Sequence, residues 1–515
     1  MSNLDDKSDS PKCDVIIIGG GATGLGVAVE AATRGYSTML FEAFDFGSGT
    51  SSKSTKLVHG GIRYLANLDF AMVKEGLSER ANFLNNAPHI AKTQGYLVPL
   101  YSVWDKFKYF IGIKLYDFLS SGKKLGQSVF LNPKQTLNLA PELNPKRLRG
   151  GAVYYDGQFD DTRMLITLLR SFIQHGGQAF NYHEITGLIK DDASKAIGVK
   201  VHDKLNDKFF NVHGKVIINA TGVMTDSILD LDEPSIPHQH VAAAQGTHIV
   251  LDKKFFNSPH TLVIPKTTDD RILFVLPWHD KIVVGTTDVI VDTPCIEPSA
   301  SIAEIDFILE TLNKYTSKQI TKADIRSVFS GLRPLVKPAH TTNSAKISRK
   351  HEIFYSKSGI ISIVGGKWTI YRLMGEDTID FAIGKKLLPP SKSISQNLHL
   401  FGYTTDKIAY PLNVYGSESE TIKSIQVELG NNDKLHPGLP YYSAEVTYQV
   451  RFEMAKTVED VLARRTRALF LNAKYAMESA TFVAKLMAKE MNKNEYWAEQ
   501  QVNEFYAYAK NYVVT

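Results

Sequence analysis

The chain is 515 residues long, 43% hydrophobic and 22% charged, ordinary values for a globular protein with room for two or three domains. Its 59 basic and 54 acidic residues leave a net charge of +5, which does not point to nucleic acid as a partner. With only Cys13 and Cys295 there is no disulfide framework and a reducing compartment is expected, and no run reaches the ~18–20 apolar residues that span a bilayer.

Cys13-Asp14-Val15-Ile16-Ile17-Ile18 is rich in β-branched residues and predicts a strand buried inside a parallel sheet. Gly19, Gly21 and Gly24 follow in the spacing Gly-x-Gly-x-x-Gly, then a helical run ends at Gly35. Ser37–Phe41 predicts the second strand, with Glu42 at its end. Strand, glycine turn, helix, strand and acid stand in the order of a dinucleotide-binding fold. Gly19 makes the turn, Gly21 admits a pyrophosphate and Gly24 lets helix and strand pack. Ala22 and Thr23 open the helix, whose free N–H groups favour phosphate. Glu42 can accept both hydroxyls of a ribose.

From Phe46 to Leu65 small hydroxyl residues crowd against cations: Thr50, Ser51, Ser52, Lys56, Leu57, His59, Gly60, Gly61, Arg63 and Tyr64. Composition alone describes a flexible loop. The functional reading is a loop that holds a phosphate and its cofactor while His59 and Arg63 face a substrate. A helix is expected over 69–90 and a strand over Tyr96–Leu100. In Trp104–Leu125 aromatics and lysines interleave at near-helical spacing. Periodicity favours a core-facing helix with a solvated basic edge. The alternative is a helix lying in a membrane interface.

Asp161–Phe172 predicts a helix, and the strand-like runs at Phe180–Ile189, Ala196–His202 and Phe209–Val212 predict a meander. Val216–Asn219 reads as a buried strand ending in Ala220-Thr221-Gly222. From Gln245 to Arg333 the pattern is all-strand apart from a helix at Ser301–Tyr315, which predicts a large antiparallel sheet. Ile360–Val364 returns to the nucleotide-binding half. Gly365-Gly366-Lys367 then open a helix over Trp368–Ala382, whose N-terminus favours negative charge. A linker at Leu387–Asn397 precedes a helical remainder, with an apolar run from Gln449 to Tyr475.

Thr50-Ser51-Ser52 followed by Lys56-Leu57-Val58-His59-Gly60-Gly61-Ile62-Arg63-Tyr64-Leu65 resembles the flavin loop of the FAD-dependent, quinone-linked glycerol-3-phosphate dehydrogenases. Gly246-Thr247-His248, Pro277-Trp278, Gly285-Thr286-Thr287-Asp288, Gly331-Leu332-Arg333-Pro334, Gly365-Gly366-Lys367-Trp368-Thr369 and Glu459-Asp460 with Arg464-Arg465-Thr466 agree with that family, in order. The fold class this implies is α/β: a Rossmann-type FAD-binding domain, an amino-acid-oxidase-like antiparallel-sheet substrate domain and a C-terminal helical cap. Expected boundaries are 1–90, 150–240 and 340–388 for the first, 91–149 and 241–339 for the second, and 389–515 for the third.

The resemblance implies oxidation of sn-glycerol 3-phosphate to dihydroxyacetone phosphate by hydride transfer to FAD, with a membrane quinone as acceptor. It places Arg63, Tyr64, Arg333, Arg349 and Lys367 around the substrate. A base must take the hydroxyl proton and cations must stabilise the oxyanion. His248 is preferred as base over His59. Ala220, Thr221, Gly222, Gly366, Lys367, Trp368 and Thr369 join the flavin contacts; no metal is expected. The placement implied is cytoplasmic, peripheral on the inner face of the cytoplasmic membrane, with a homodimer as the assembly considered. Alternatives are an oxygen-using glycerol-3-phosphate oxidase and a flavin-binding scaffold without catalysis.

Overall fold

The computed structural model describes residues 10–61, 69–120, 122–235, 238–267, 271–337, 350–430 and 433–514. The first strand, Lys12–Ile18, pairs in parallel with Thr38–Glu42 on one side and Lys208–Asn219 on the other. The sheet continues to Ile361–Gly365 and the antiparallel His351–Tyr355 at one edge, and to Gln178–Asn181 at the other. Side chains alternate across it. Val15 and Ile17 share a core with the helices Ala22–Thr33, Asp161–Gln174 and Tyr371–Gly384, whereas Ile16 and Ile18 pack under the meander. Burial on both faces accounts for the unbroken apolar run in the sequence.

The second sheet is built on Val241–Asp252, paired with Ile325–Val336 along most of its length and with Lys281–Gly285 on its other side. Leu273–Trp278, Thr261–Ile264, Ala91–Leu100 and Gly150–Phe159 follow in that order. Thr261–Leu262 runs parallel to Tyr96–Leu97; the neighbouring pairs are antiparallel. Gly150–Phe159, inside the stretch expected in the nucleotide-binding half, forms a ladder with Ala91–Leu100 from Leu100↔Gly150 to Ala91↔Phe159 and lies in the second sheet.

One face of this second sheet, with Val250, Leu276, Val283 and Phe329, meets the C-terminal helices. The other, with Ile249, Leu251, Val284 and Val328, meets the helix Ile302–Tyr315, capped by Ser301 and Glu304 in a capping box. The expected run from Gln449 to Tyr475 is not one helix. Ser443–Phe452 ends before Met454 (φ 58°), a wide turn of π-helix covers Asp460–Arg465, and Arg467 (φ 64°) precedes the helices Ala468–Leu471 and Ala473–Glu490. Buried Arg465 donates to the Glu453 carbonyl and buried Arg467 to the Ala463 carbonyl, which ties down the interrupted backbone.

The helix Val103–Leu119 departs from the core-facing expectation. Only Ile113 and Tyr116 are buried, while Trp104 is 81%, Phe107 60% and Phe118 75% exposed. Its apolar residues surround the axis, so one edge packs and the rest faces outward. Among the described residues no helix is long and apolar enough to cross a membrane.

Candidate active site

Gly19 ends the first strand at φ 106°, and a methyl group there would fall 2.8 Å from the Ala220 carbonyl oxygen. Only glycine fits that turn, and the contact brings Ala220-Thr221-Gly222 beside the glycine motif. Gly21 caps the helix containing Ala22, Thr23 and Gly24. Glu42 accepts from the Gly20 N–H (2.6 Å) and the Phe44 N–H (3.0 Å), which anchors its carboxyl beside the turn. Burial raises its pKa against these two bonds.

The loop after Glu42 is tied to this turn. The Ala22 N–H donates to Ser51 Oγ (2.9 Å), and Trp368 Nε1–H donates to the Ser51 carbonyl (2.9 Å). Thr50 Oγ1 donates to the Leu332 carbonyl, and the His59 N–H donates to Thr369 Oγ1 (3.3 Å). The Gly60 N–H reaches Tyr116 Oη (3.1 Å) and Asp156. Segments far apart in the chain thus form one surface: the glycine turn, Thr50–Gly61, Leu332 and Gly366–Thr369. Gly365 and Gly366 have positive φ, so the chain turns sharply before Lys367. The expected helix over Trp368–Ala382 begins instead as a 3-10 turn, Trp368–Ile370, with the α-helix at Tyr371–Gly384.

His248 and Arg333 stand on one face of the second sheet. In the ladder His248 opposes Phe329 and Ala244 opposes Arg333, an even offset along both strands. Two glycines make room for them. A methyl at Gly285 would meet His248 Cδ2 at 2.3 Å, and one at Gly246 would meet Arg333 Nη2 at 2.3 Å. His248 stacks on Phe329 with centroids 4.8 Å apart, and its Nε2 lies 3.0 Å from Thr55 Oγ1. Burial, then the positive charges of Lys56 and Arg333, push its pKa well below the ordinary range, so the ring is neutral. Arg333 donates to Asp288 Oδ1 (3.0 Å) and Thr286 Oγ1 (2.9 Å), with its side chain 23% exposed.

Lys56, expected at the cofactor, has its ammonium fully buried, 2.9 Å from Asp161 and over the Trp278 ring. Burial lowers its pKa to about 8 against the pull of Asp161. Leu57 likewise pairs with Gln158 in a short strand. Arg63, Tyr64 and Arg349 lie outside the described residues. Sequence reading passed over Thr55, which touches His248, and Asp288, which holds Arg333; both sit within or beside matched motifs, and the threonine between Ser54 and Lys56 was the available signal.

The donor set fits a flavin dinucleotide: a helix N-terminus for its pyrophosphate, an acid at the end of the second strand and a hydroxyl-rich loop between the two sheets. Residues 14–372 match the family model described as FAD dependent oxidoreductase, and 361–501 match the C-terminal domain of alpha-glycerophosphate oxidase. Fold and site together define a flavin-dependent oxidoreductase. A probable mitochondrial glycerol-3-phosphate dehydrogenase of Dictyostelium discoideum is 38% identical over 98% of this chain and 84% of its own length. The mitochondrial glycerol-3-phosphate dehydrogenase of Homo sapiens is 36% identical over 95% and 72%. The glycerol-3-phosphate dehydrogenase of Bacillus halodurans complexed with FAD superposes with a TM-score of 0.78 at 29% identity, covering 98% of this chain and 95% of that one. The chain belongs to the family of FAD-dependent glycerol-3-phosphate dehydrogenases.

Proposed function

We propose that this protein oxidises the C2 alcohol of sn-glycerol 3-phosphate to dihydroxyacetone phosphate and passes the electrons to a membrane quinone. Bound FAD supplies the hydride acceptor. The observation that carries the reading is the pairing of Arg333 and His248 on one sheet face, each lying over a glycine, beneath the loop bonded to the glycine turn. The Arg333 fork matches a phosphate, exchanging its bond to Asp288 for contacts to the dianion. Neutral His248 accepts the hydroxyl proton, with Thr55 orienting its ring. Lys367, with Arg63, Tyr64 and Arg349, completes the cationic surround; His59 helps to hold the cofactor through the backbone bond to Thr369. Gly19, Gly21–Gly24, Glu42, Thr50–Ser52, Gly60, Gly61, Ala220–Gly222 and Gly366–Thr369 are the proposed cofactor contacts.

The exposed face of Val103–Leu119 supports docking on a membrane surface. Trp104, Phe107, Phe110, Ile111 and Phe118 are exposed beside Lys106, Lys108 and Lys114, a pairing suited to acyl chains and anionic headgroups. Two free cysteines suit the reducing, inner face of the cytoplasmic membrane. Anaerobic mixing with sn-glycerol 3-phosphate tests the reading: the flavin absorbance should bleach, then return faster with a soluble quinone than with oxygen. Rapid return with oxygen alone would identify an oxidase, and no bleaching would leave a flavin-binding scaffold.

A further inference from the structure

Beneath the sheet face that carries His248 and Arg333, a buried carboxylate grips the same strands from the other side. Side chains alternate along Val241–Asp252, so Gly246 and His248 face the active site while Gln245 and Thr247 face away. The helix Ile302–Tyr315 packs on that far face, and Glu304 in its first turn is buried. The cap of this helix occupies a single carboxylate oxygen. Glu304 Oε2 accepts from the Ser301 N–H (3.1 Å) and hydroxyl (2.9 Å), and the Gln245 amide joins them (2.8 Å). Oε1 is surplus to the cap and is spent on the sheet. It accepts from Thr247 Oγ1 (2.8 Å) and Thr287 Oγ1 (2.6 Å). Thr287 Oγ1 in turn accepts from the Thr247 N–H (2.8 Å). Burial raises the pKa of Glu304, but the bonds from Thr287, the Ser301 N–H and Thr247 outweigh it and hold the carboxyl below its ordinary range, so it is ionised.

Thr287 stands where the sheet leaves regular pairing. The ladder of Val241–Asp252 with Lys281–Gly285 ends at His248↔Gly285, and its ladder with Val289–Val291 begins at Gln245↔Val289. Thr286, Thr287 and Asp288 cross the gap, three residues opposite Gly246 and Thr247. An extra residue breaks the ladder there, so side chains place the crossing. From below, Glu304 and the Thr247 N–H hold Thr287. From above, Arg333 holds all three residues: Nη2 donates to Thr286 Oγ1 (2.9 Å) and the Thr287 carbonyl (3.1 Å), and Nη1 donates to Asp288 Oδ1 (3.0 Å). When Nη1 exchanges Asp288 for a phosphate, Nη2 keeps its aim only if the crossing stays where it is. We propose that Glu304 is a positioning residue for substrate binding: through Thr287 it fixes the Thr286–Asp288 crossing, and so fixes where the Arg333 fork meets the phosphate. The inference rests on the reading of Arg333 as the phosphate-binding group.

The test reads anaerobic flavin reduction in FAD-loaded protein at varied glycerol 3-phosphate and, separately, varied glycerol. Thr287→Val keeps the side-chain shape and removes both bonds of the hydroxyl; Glu304→Gln removes the charge and sets a donor where donors converge. Each should raise the half-saturating concentration of glycerol 3-phosphate roughly tenfold, as for one weakened bond to a charged group, with the limiting rate within about twofold of wild type. Glycerol oxidation should change far less. Thr287→Ser, which keeps the hydroxyl, should bind glycerol 3-phosphate like wild type. If Glu304→Gln loses its flavin, the two Thr287 variants decide. In an Arg333→Ala background Thr287→Val should add nothing, because a residue that acts through Arg333 has nothing left to place. If Thr287→Val binds glycerol 3-phosphate like wild type, or if its loss multiplies with that of Arg333→Ala, the assignment is overturned while Arg333 keeps its role. Equal losses on both substrates would likewise overturn it, since they mark a cap that serves only the fold. If Arg333→Ala itself keeps the full preference for glycerol 3-phosphate over glycerol, the reading of Arg333 fails and this inference with it.

Discussion

Two groups of arginines in this molecule do opposite things. Where the C-terminal region meets the loop after the second strand, Arg465 forks onto Asp45 at 2.6 and 2.9 Å. Arg464 joins Asp45, Glu459 and Asp460, and Arg467 reaches the Ser52 carbonyl and Asp161. All three are buried. Burial opposes ionisation of Asp45, but Arg465 and Arg464 override it and hold its carboxyl at about 2. On the sheet face Arg333 pairs with Asp288 and keeps part of its side chain in solvent. The difference is in the setting. An arginine enclosed by buried carboxylates has its charge already answered and serves the fold; one paired with a carboxylate at a partly solvated face can exchange that bond for a ligand.

The largest effect should come from breaking the enclosed group. Arg465→Ala leaves Asp45 buried against a diminished positive field, a loss of ~3–5 kcal/mol out of the ~5–15 that hold a domain together. Little folded, yellow protein should be recovered, read from the flavin absorbance and the melting curve. If Arg465→Ala melts like wild type, the arginines at this seam are not what secures it.

On the open face, His248→Ala should keep its flavin yet slow anaerobic flavin reduction by ~10²–10⁴, the usual weight of a general base. Normal reduction in that variant, with slow reduction in His59→Ala, would move the base to His59. Arg333→Ala should lower kcat/KM for glycerol 3-phosphate by roughly a hundredfold, as expected for a lost charge-assisted contact of ~3 kcal/mol, and change glycerol oxidation far less. Equal losses on both substrates would place Arg333 with the structural arginines.

The smallest effect concerns a buried acid near the seam. Glu445 accepts from Tyr415 Oη (3.1 Å) and from the Tyr442 N–H (2.9 Å), and burial raises its pKa to about 7 despite those bonds. Its folded value lies above the ordinary 4.5, so the folded state holds the proton longer than the unfolded chain. That contribution is complete below about pH 4.5 and is lost as pH rises through 7, at most ~3 kcal/mol in all. Glu445→Gln should therefore flatten the fall in melting temperature between pH 5 and 8; an unchanged slope would assign the fall to other groups.

The amino-acid pattern by itself carried the nucleotide-binding half. β-branched runs, the glycine spacing and Glu42 are local signals, and each maps onto an observed strand, turn or cap. It carried the second sheet as a set of strands and the motifs around His248 and Arg333, because alternation and short motifs are written within a few residues. Pairing over long separations was decided only by the tertiary structure. The ladder between Gly150–Phe159 and Ala91–Leu100 joins segments some fifty residues apart, and no local pattern announces it. The loop that carries Lys56 does not show that Asp161, 105 residues away, lies beside its ammonium. The exposure of Trp104, Phe107 and Phe118 was equally invisible, since an aromatic at helical spacing has the same letter whether it meets a core or solvent. Sequence patterns record which residues alternate or repeat; burial and charge pairing depend on which distant segment the fold sets against them.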